Sequence, residues 1–132
     1  MPPRIHLKRA YLPPEQEDGA RILVERLWPR GLRKTEAGID AWFKELAPSP
    51  DLRRWYAHRP ERWTQFRRLY RSELQAADPT RLAELVELCK TRPVTFVYAA
   101  RDEARNGAVV LREFLQDQRT SPPLTSTTSP LT

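Results

Sequence analysis

The amino-acid sequence predicts an α/β fold: a single compact domain in which a small, mostly parallel sheet is flanked by helices, followed by a disordered C-terminal tail. Three observations lead there. Segments of strand type at residues 4–9, 22–24 and 94–98 are set apart by stretches long enough to hold helical crossovers. Proline-led cap signatures recur through the longest of these stretches. The last 13 residues, 120–132, are all Thr, Ser, Pro or Leu without a charge, and so cannot form an amphipathic element. The expected organisation is one α/β domain over 1–119 and a disordered tail over 120–132.

Each element has its own warrant. Arg4-Ile5-His6-Leu7-Lys8-Arg9 alternates polar and apolar side chains, as a half-buried strand does. Pro13-Pro14 and Asp18-Gly19 interrupt the chain, and Ile22-Leu23-Val24 is then a branched run suited to a strand buried on both faces. It stops at Leu27-Trp28-Pro29-Arg30-Gly31. Ile39, Trp42, Phe43 and Leu46 recur at helical spacing and predict a helix ending at Ala47-Pro48. Ser49-Pro50-Asp51 reads as N-cap, proline and acidic first turn of a helix carrying Leu52 and Trp55. Pro60 opens another, with Trp63, Phe66, Tyr70 and Leu74 on one stripe, and Asp78-Pro79 repeats the cap before Leu82, Leu85, Val86 and Cys89. Val94-Thr95-Phe96-Val97-Tyr98 is the best strand by residue type, and a final helix over about 104–116 would bury Ala108, Leu111 and Leu115.

Composition bounds the function. Of 23 basic side chains in 132 residues, 19 are arginine, and 17 acids leave a net charge of +6, which favours anionic partners. One cysteine and two histidines exclude a disulfide framework and argue against a zinc site of the usual four ligands, so no metal is expected. The four glycines are scattered, without a phosphate loop of either glycine pattern, and no cofactor is expected. No apolar run approaches the ~18 residues of a membrane span, and no signal-peptide pattern opens the chain. The expectation is a cytoplasmic protein with no membrane partner.

In parallel sheets ligands collect beyond the carboxyl ends of the strands, here residues 25–31 and 99–106. In Glu25-Arg26-Leu27-Trp28-Pro29-Arg30-Gly31, strand alternation sends Arg26 to the face opposite Glu25, while Pro29 and Gly31 aim Trp28 and Arg30 near the strand tip. Two guanidiniums beside an indole suit a phosphate or carboxylate carrying a planar group. The plain alternative is a Trp28 that caps the core and arginines that are solvated or paired with Glu25. At the second strand end, Asp102 is placed to act as a catalytic acid or base, or simply to cap the last helix. A third feature is the run Arg53, Arg54, Arg59, Arg62, Arg67, Arg68 and Arg71, interleaved with Trp55, Tyr56, Trp63 and Tyr70. It could track a phosphate backbone and stack bases, or be the solvated face of helices whose aromatics form core. Cys89 reads as a small buried hydrophobe. His58 sits at a helix junction, open to acid–base work or to a backbone hydrogen bond.

At these residues the chain resembles a known family, the YeaO-like branch of the bacterial family numbered 488 among domains of unknown function. The likeness runs from about Ile5 to Leu115. It rests on Lys8-Arg9-Ala10-Tyr11, the stretch Asp18-Gly19-Ala20-Arg21-Ile22-Leu23-Val24-Glu25-Arg26-Leu27-Trp28-Pro29-Arg30-Gly31-Leu32, Ala47-Pro48-Ser49 with Leu52-Arg53, and Val94 through Asp102 with Asn106. The resemblance implies a small single-domain α/β fold and carries no established activity. Members often have an aspartate where this chain has Glu25. The wider family tends to have Cys-His-Arg in its last helix, where this chain has Asn106-Gly107-Ala108. The motif positions join Glu25, Arg26, Trp28, Arg30, Asp102 and Asn106 into one expected pocket for a small anionic ligand, a nucleotide among the options. The alternative is a non-catalytic nucleic-acid-binding module using Arg53, Arg54, Arg62, Arg67, Arg68 and Arg71.

Overall fold

The computed structural model describes residues 5–120, with side chains to residue 117. Strands β1 (Ile5–Arg9), β2 (Ala20–Leu23), β3 (Ala41–Trp42) and β4 (Val94–Tyr98) form one sheet in the order β1-β4-β2-β3, with every neighbouring pair parallel. The helices are α1 (Lys34–Ala37), α2 (Pro50–Tyr56), α3 (Trp63–Gln75), α4 (Pro79–Thr91) and α5 (Gly107–Thr120), with short 3-10 turns at Gln16–Asp18, Lys44–Leu46 and Pro60–Arg62. No helix among the described residues is long and apolar enough to cross a membrane. The tail expected to be disordered lies outside the described residues except for Thr120, which ends α5.

The α/β expectation is met with one asymmetry. Central β4 is buried along its whole length, and its side chains divide by alternation between the two faces of the sheet. Val94, Phe96 and Tyr98 join the larger core, to which α2, α3, α4 and α5 all contribute. Val97 lies on the other face with Leu23 and Ala10, in a smaller cluster closed by Trp28, Leu32, Ile39 and Trp42 from loops and the edge strand. All four long helices therefore stack on one side.

The capping chemistry forms where the sequence places it. Ser49 Oγ accepts the Leu52 N–H at 3.2 Å and donates to Glu73 Oε2 at 2.6 Å, and the Ser49 N–H reaches Glu73 Oε1 at 2.9 Å. One serine thus starts α2 and fastens it to α3. Asp78 caps α4 through the Thr80 N–H.

Three expectations need correction. The helix expected over Ile39, Trp42, Phe43 and Leu46 is instead an edge strand followed by a 3-10 turn. Gly38, at φ +61°, ends α1, and the segment then bonds to β2: Asp40 N–H to Arg21 O at 2.8 Å and Phe43 N–H to Leu23 O at 3.0 Å. Its apolar residues split, Ile39 and Trp42 to the smaller cluster, Phe43 and Leu46 to the larger. The apparent helical stripe therefore serves both faces of the sheet. Second, β2 begins at Ala20 rather than Ile22 and ends at Leu23, because the Ala20 N–H already bonds Pro93 O at 3.0 Å. Third, the last helix begins at Gly107. Asp102 takes the Ala104 and Arg105 N–H groups in a local turn, while Asn106 Oδ1 accepts the Val109 N–H at 3.1 Å and is the true cap.

Candidate functional site

Beyond the carboxyl ends of β2 and β4 the chain encloses a cleft of about 200 Å³. The strands place its floor: the Val24 N–H bonds Val97 O at 3.2 Å, carrying the ladder one residue past β2 and delivering Glu25 beside Ala99 and Ala100. Its polar lining is Glu25, Arg53, His58 and Asn106, with Gly107 at the first turn of α5. Val24, Pro48, Tyr56 and Phe66 supply apolar wall, the last two rings stacked with centroids 4.3 Å apart.

Half-buried Glu25 accepts the Ala99 N–H on Oε2 at 2.9 Å. Burial pushes its carboxyl above the usual range; the Ala99 N–H, Arg53 and His58 pull the other way without cancelling it. His58 is held by an unusual backbone: Ala57 and His58 stand consecutively at φ +48° and +55°, a left-handed pair without glycine. Asn106, 3% exposed, is engaged at both ends of its amide, donating from Nδ2 to Asp102 O at 2.8 Å while its Oδ1 caps α5.

The expected pocket is thus only partly gathered. Glu25 and Asn106 line the cleft. Arg26 lies beside it, its guanidinium donating to Ala47 O at 2.9 Å and Pro48 O at 3.4 Å and so tying the strand-end motif to the loop before α2. Asp102 touches the site only through its carbonyl on Asn106. Its carboxylate also takes Arg105 Nε at 3.1 Å, and these partners, the Ala104 N–H foremost, hold it below the usual range. Trp28 packs in the smaller cluster, its indole N–H donating to Leu32 O at 2.6 Å and its ring edge-on to Trp42. Arg30 is exposed, and its carbonyl accepts the Tyr11 hydroxyl at 2.9 Å. Arg53 and His58 are the cleft residues that the strand-end reading misses. Arg53 stands in the sequence both in the run of arginines and in the Leu52-Arg53 pair of the family likeness, and the left-handed turn that delivers His58 has no glycine to announce it.

That run is largely committed to protein partners. Arg67 pairs with Glu113 at 2.8 Å and Arg71 with Asp117 at 2.6 Å, both linking α3 to α5. Arg54 pairs with Asp51, and Arg62 donates to Trp55 O with its guanidinium over the Trp55 ring. Arg68 is exposed and makes no ion pair among the described residues. The interleaved aromatics mostly stack on one another, Tyr56 and Trp63 on Phe66, and Phe66 against Tyr70.

Comparison with known proteins places this geometry in a family. Residues 4–130 match the family described as the inactive DUF488-N3 subclade. The uncharacterized protein YeaO of Escherichia coli is 41% identical over 112 residues, covering 85% of this chain and 96% of that protein. The uncharacterized protein Rv3073c of Mycobacterium tuberculosis is 43% identical over 112 residues, covering 85% and 93%, and the uncharacterized protein Mb3100c of Mycobacterium bovis matches equally. No solved structure matches. On a match that runs through the parallel sheet, the strand-end motif and the start of α5, the chain belongs to the YeaO-like branch of the family numbered 488 among domains of unknown function, in the subclade described as inactive.

Proposed function

We propose that this protein binds a small anionic ligand, without turning it over, in the cleft at the carboxyl ends of β2 and β4. The observation that carries the reading is the meeting of Arg53, His58 and the first turn of α5 in one cleft, at the place where a parallel sheet offers a ligand site. A guanidinium, an imidazole and the positive end of a 14-residue helix all favour an oxyanion. At about 200 Å³ the cleft falls below the ~300–1,000 Å³ of sites for drug-sized ligands, which suits a phosphate or carboxylate on a small frame rather than a whole nucleotide.

Two features support binding over catalysis. Where the wider family tends to carry Cys-His-Arg, this chain has Asn106-Gly107-Ala108, at the helix start that lines the cleft. A thiol in that position would be activated by the helix N-terminus. The Asn106 amide has no such chemistry and is consumed by capping. Asp102, the carboxylate next in line for acid–base work, is spent on its own turn. The description of the subclade as inactive agrees with this.

The test is thermal unfolding in the presence of inorganic phosphate, acetate and small amino acids. A ligand at 100 times its Kd stabilises by about 2.7 kcal/mol, a shift of several degrees. At least one probe should raise Tm in the wild type and in the exposed control Arg68→Gln, and lose its effect in Arg53→Gln. Equal stabilisation of wild type and Arg53→Gln, or no stabilisation by any probe, overturns the reading.

A further inference from the structure

Resting on that reading, we infer that the ligand is a zwitterion of amino-acid size, its ammonium group on Glu25 and its carboxylate toward Arg53 and His58. The starting point is an apparent contradiction in the cleft. An anion site should not contain a carboxylate, yet Glu25 lines this one beside Arg53 and His58. In a space of about 200 Å³ no anion can be placed far from it. Like charges that close disfavour each other, so a plain anion would bind against Glu25 rather than with it.

Glu25 is also not fully used by the fold. Its Oε2 takes the Ala99 N–H, and Oε1 has no hydrogen-bond donor among the described residues. Apart from Ala99, the groups that act on the carboxylate are charged or chargeable side chains of the same cleft, Arg53 and His58, and neither forms an ion pair with it within 4.0 Å. An acceptor of that kind calls for a donor from the ligand, and a cationic donor also offsets the desolvation that disfavours the ionised carboxyl.

The charge count leads to the same class. The cleft lining sets one carboxylate, Glu25, beside one guanidinium, Arg53. A ligand bearing one charge of each sign leaves the complex neutral, whereas a phosphate dianion does not. The stacked Tyr56 and Phe66 rings, with Val24 and Pro48, offer an apolar wall for a short side chain. The left-handed pair Ala57-His58 supports a role for the imidazole here, since consecutive non-glycine residues in that region are strained and such strain gathers at ligand sites.

The experiment is a titration of the full chain, followed by calorimetry and amide chemical shifts, with L-valine and its two halves: isovalerate, which lacks the ammonium, and isobutylamine, which lacks the carboxylate. L-serine, L-glutamine and inorganic phosphate complete the set. Expected is that at least one amino acid binds about tenfold or more tightly than the acid and amine fragments, with shifts at residues 25, 53, 58 and 99. Glu25→Gln, which keeps an acceptor for the Ala99 N–H, should abolish the preference for an amino acid over isovalerate. Arg53→Gln should abolish the preference over isobutylamine. If isovalerate or phosphate binds as tightly as every amino acid, the ligand is a simple anion: the zwitterion inference falls and the anion cleft stands. If no probe binds, both fall. If an amino acid binds with equal affinity to wild type and to both variants, it binds elsewhere, and the assignment to this cleft is wrong.

Discussion

Two carboxylates near the strand ends carry opposite pH signatures, because one is desolvated and the other is exposed and accepts hydrogen bonds from its own turn. Glu25 is held above the usual range, burial being the largest cause, with the Arg53 and His58 side chains acting against it and the buried Tyr70 hydroxyl within its field. A folded-state pKa above the unfolded value means that the group's favourable contribution is complete below the unfolded pKa and lost as pH rises through the folded one. At pH 7 an ionised Glu25 is therefore a cost to the fold. Asp102 has the reverse sign: held low, it contributes above its unfolded pKa and loses that contribution as pH falls. Glu25→Gln should accordingly have a higher Tm than wild type at pH 7, and the gap should close as the pH is lowered through the carboxyl range. Asp102→Asn should be the less stable at pH 7 and converge with wild type in acid. Thermal unfolding between pH 7.5 and pH 3.5 reads both; a Glu25→Gln protein that is less stable at pH 7 would mean that the Ala99 hydrogen bond and the field of Arg53 outweigh desolvation. A residue that lowers stability while sitting in a cleft is the pattern expected where binding rather than folding sets the choice of side chain.

At the scale of elements, the junction into β2 depends on a residue with no side chain. Gly19 stands at φ +63°, and a Cβ there would lie 2.2 Å from Pro93 O, the carbonyl that accepts the Ala20 N–H and begins the β2–β4 ladder. Neither the backbone carbonyl nor the left-handed φ can yield cheaply, so Gly19→Ala should destabilise by more than about 2 kcal/mol. In urea this would appear as a lower midpoint at unchanged slope; a midpoint shift that, multiplied by the slope, comes to less than about a quarter of that energy would show that the junction relaxes. Asp18-Gly19 was legible as a break in the sequence, as were the caps at Ser49 and Asp78 and the strand over 94–98, because each is fixed by local chemistry that residue type announces. The segment 39–46 was not legible, since apolar spacing at three and four suits a helix facing one core as well as a strand and turn serving two. The cleft was half legible for a related reason. Glu25 and Asn106 sit at strand and helix ends that sequence can locate, whereas His58 arrives through a left-handed turn at Ala57 that depends on how α2 packs. Trp28 misled because a tryptophan beside arginines looks the same whether its ring meets a ligand or, as here, Trp42 and Leu32.

For the whole molecule, the question is whether a net charge of +6 amounts to a binding surface. A nucleic acid needs guanidiniums free to exchange solvent for phosphate, and most of the central run already faces acids or carbonyls of this chain. The Arg67–Glu113 and Arg71–Asp117 pairs join α3 to α5 over 46 residues of sequence. Arg71 also lies with its guanidinium 5.7 Å from the Phe114 ring centroid. Exposed pairs of this kind contribute only about 0–1 kcal/mol each, so phosphate could displace the carboxylates, but each exchange strands an acid next to the incoming anion. Binding to single-stranded nucleic acid should therefore be weak, and its log–log salt slope should not change by as much as about half a unit when Arg67 or Arg71 is replaced by alanine. The same two variants should show a small loss of Tm that shrinks with added salt, because screening weakens the exposed pairs they break. A drop of about one unit in slope for each arginine removed would instead mean that the α3 face tracks a phosphate backbone. The function would then belong to that face, and the pairs with α5 would be a resting state that nucleic acid opens.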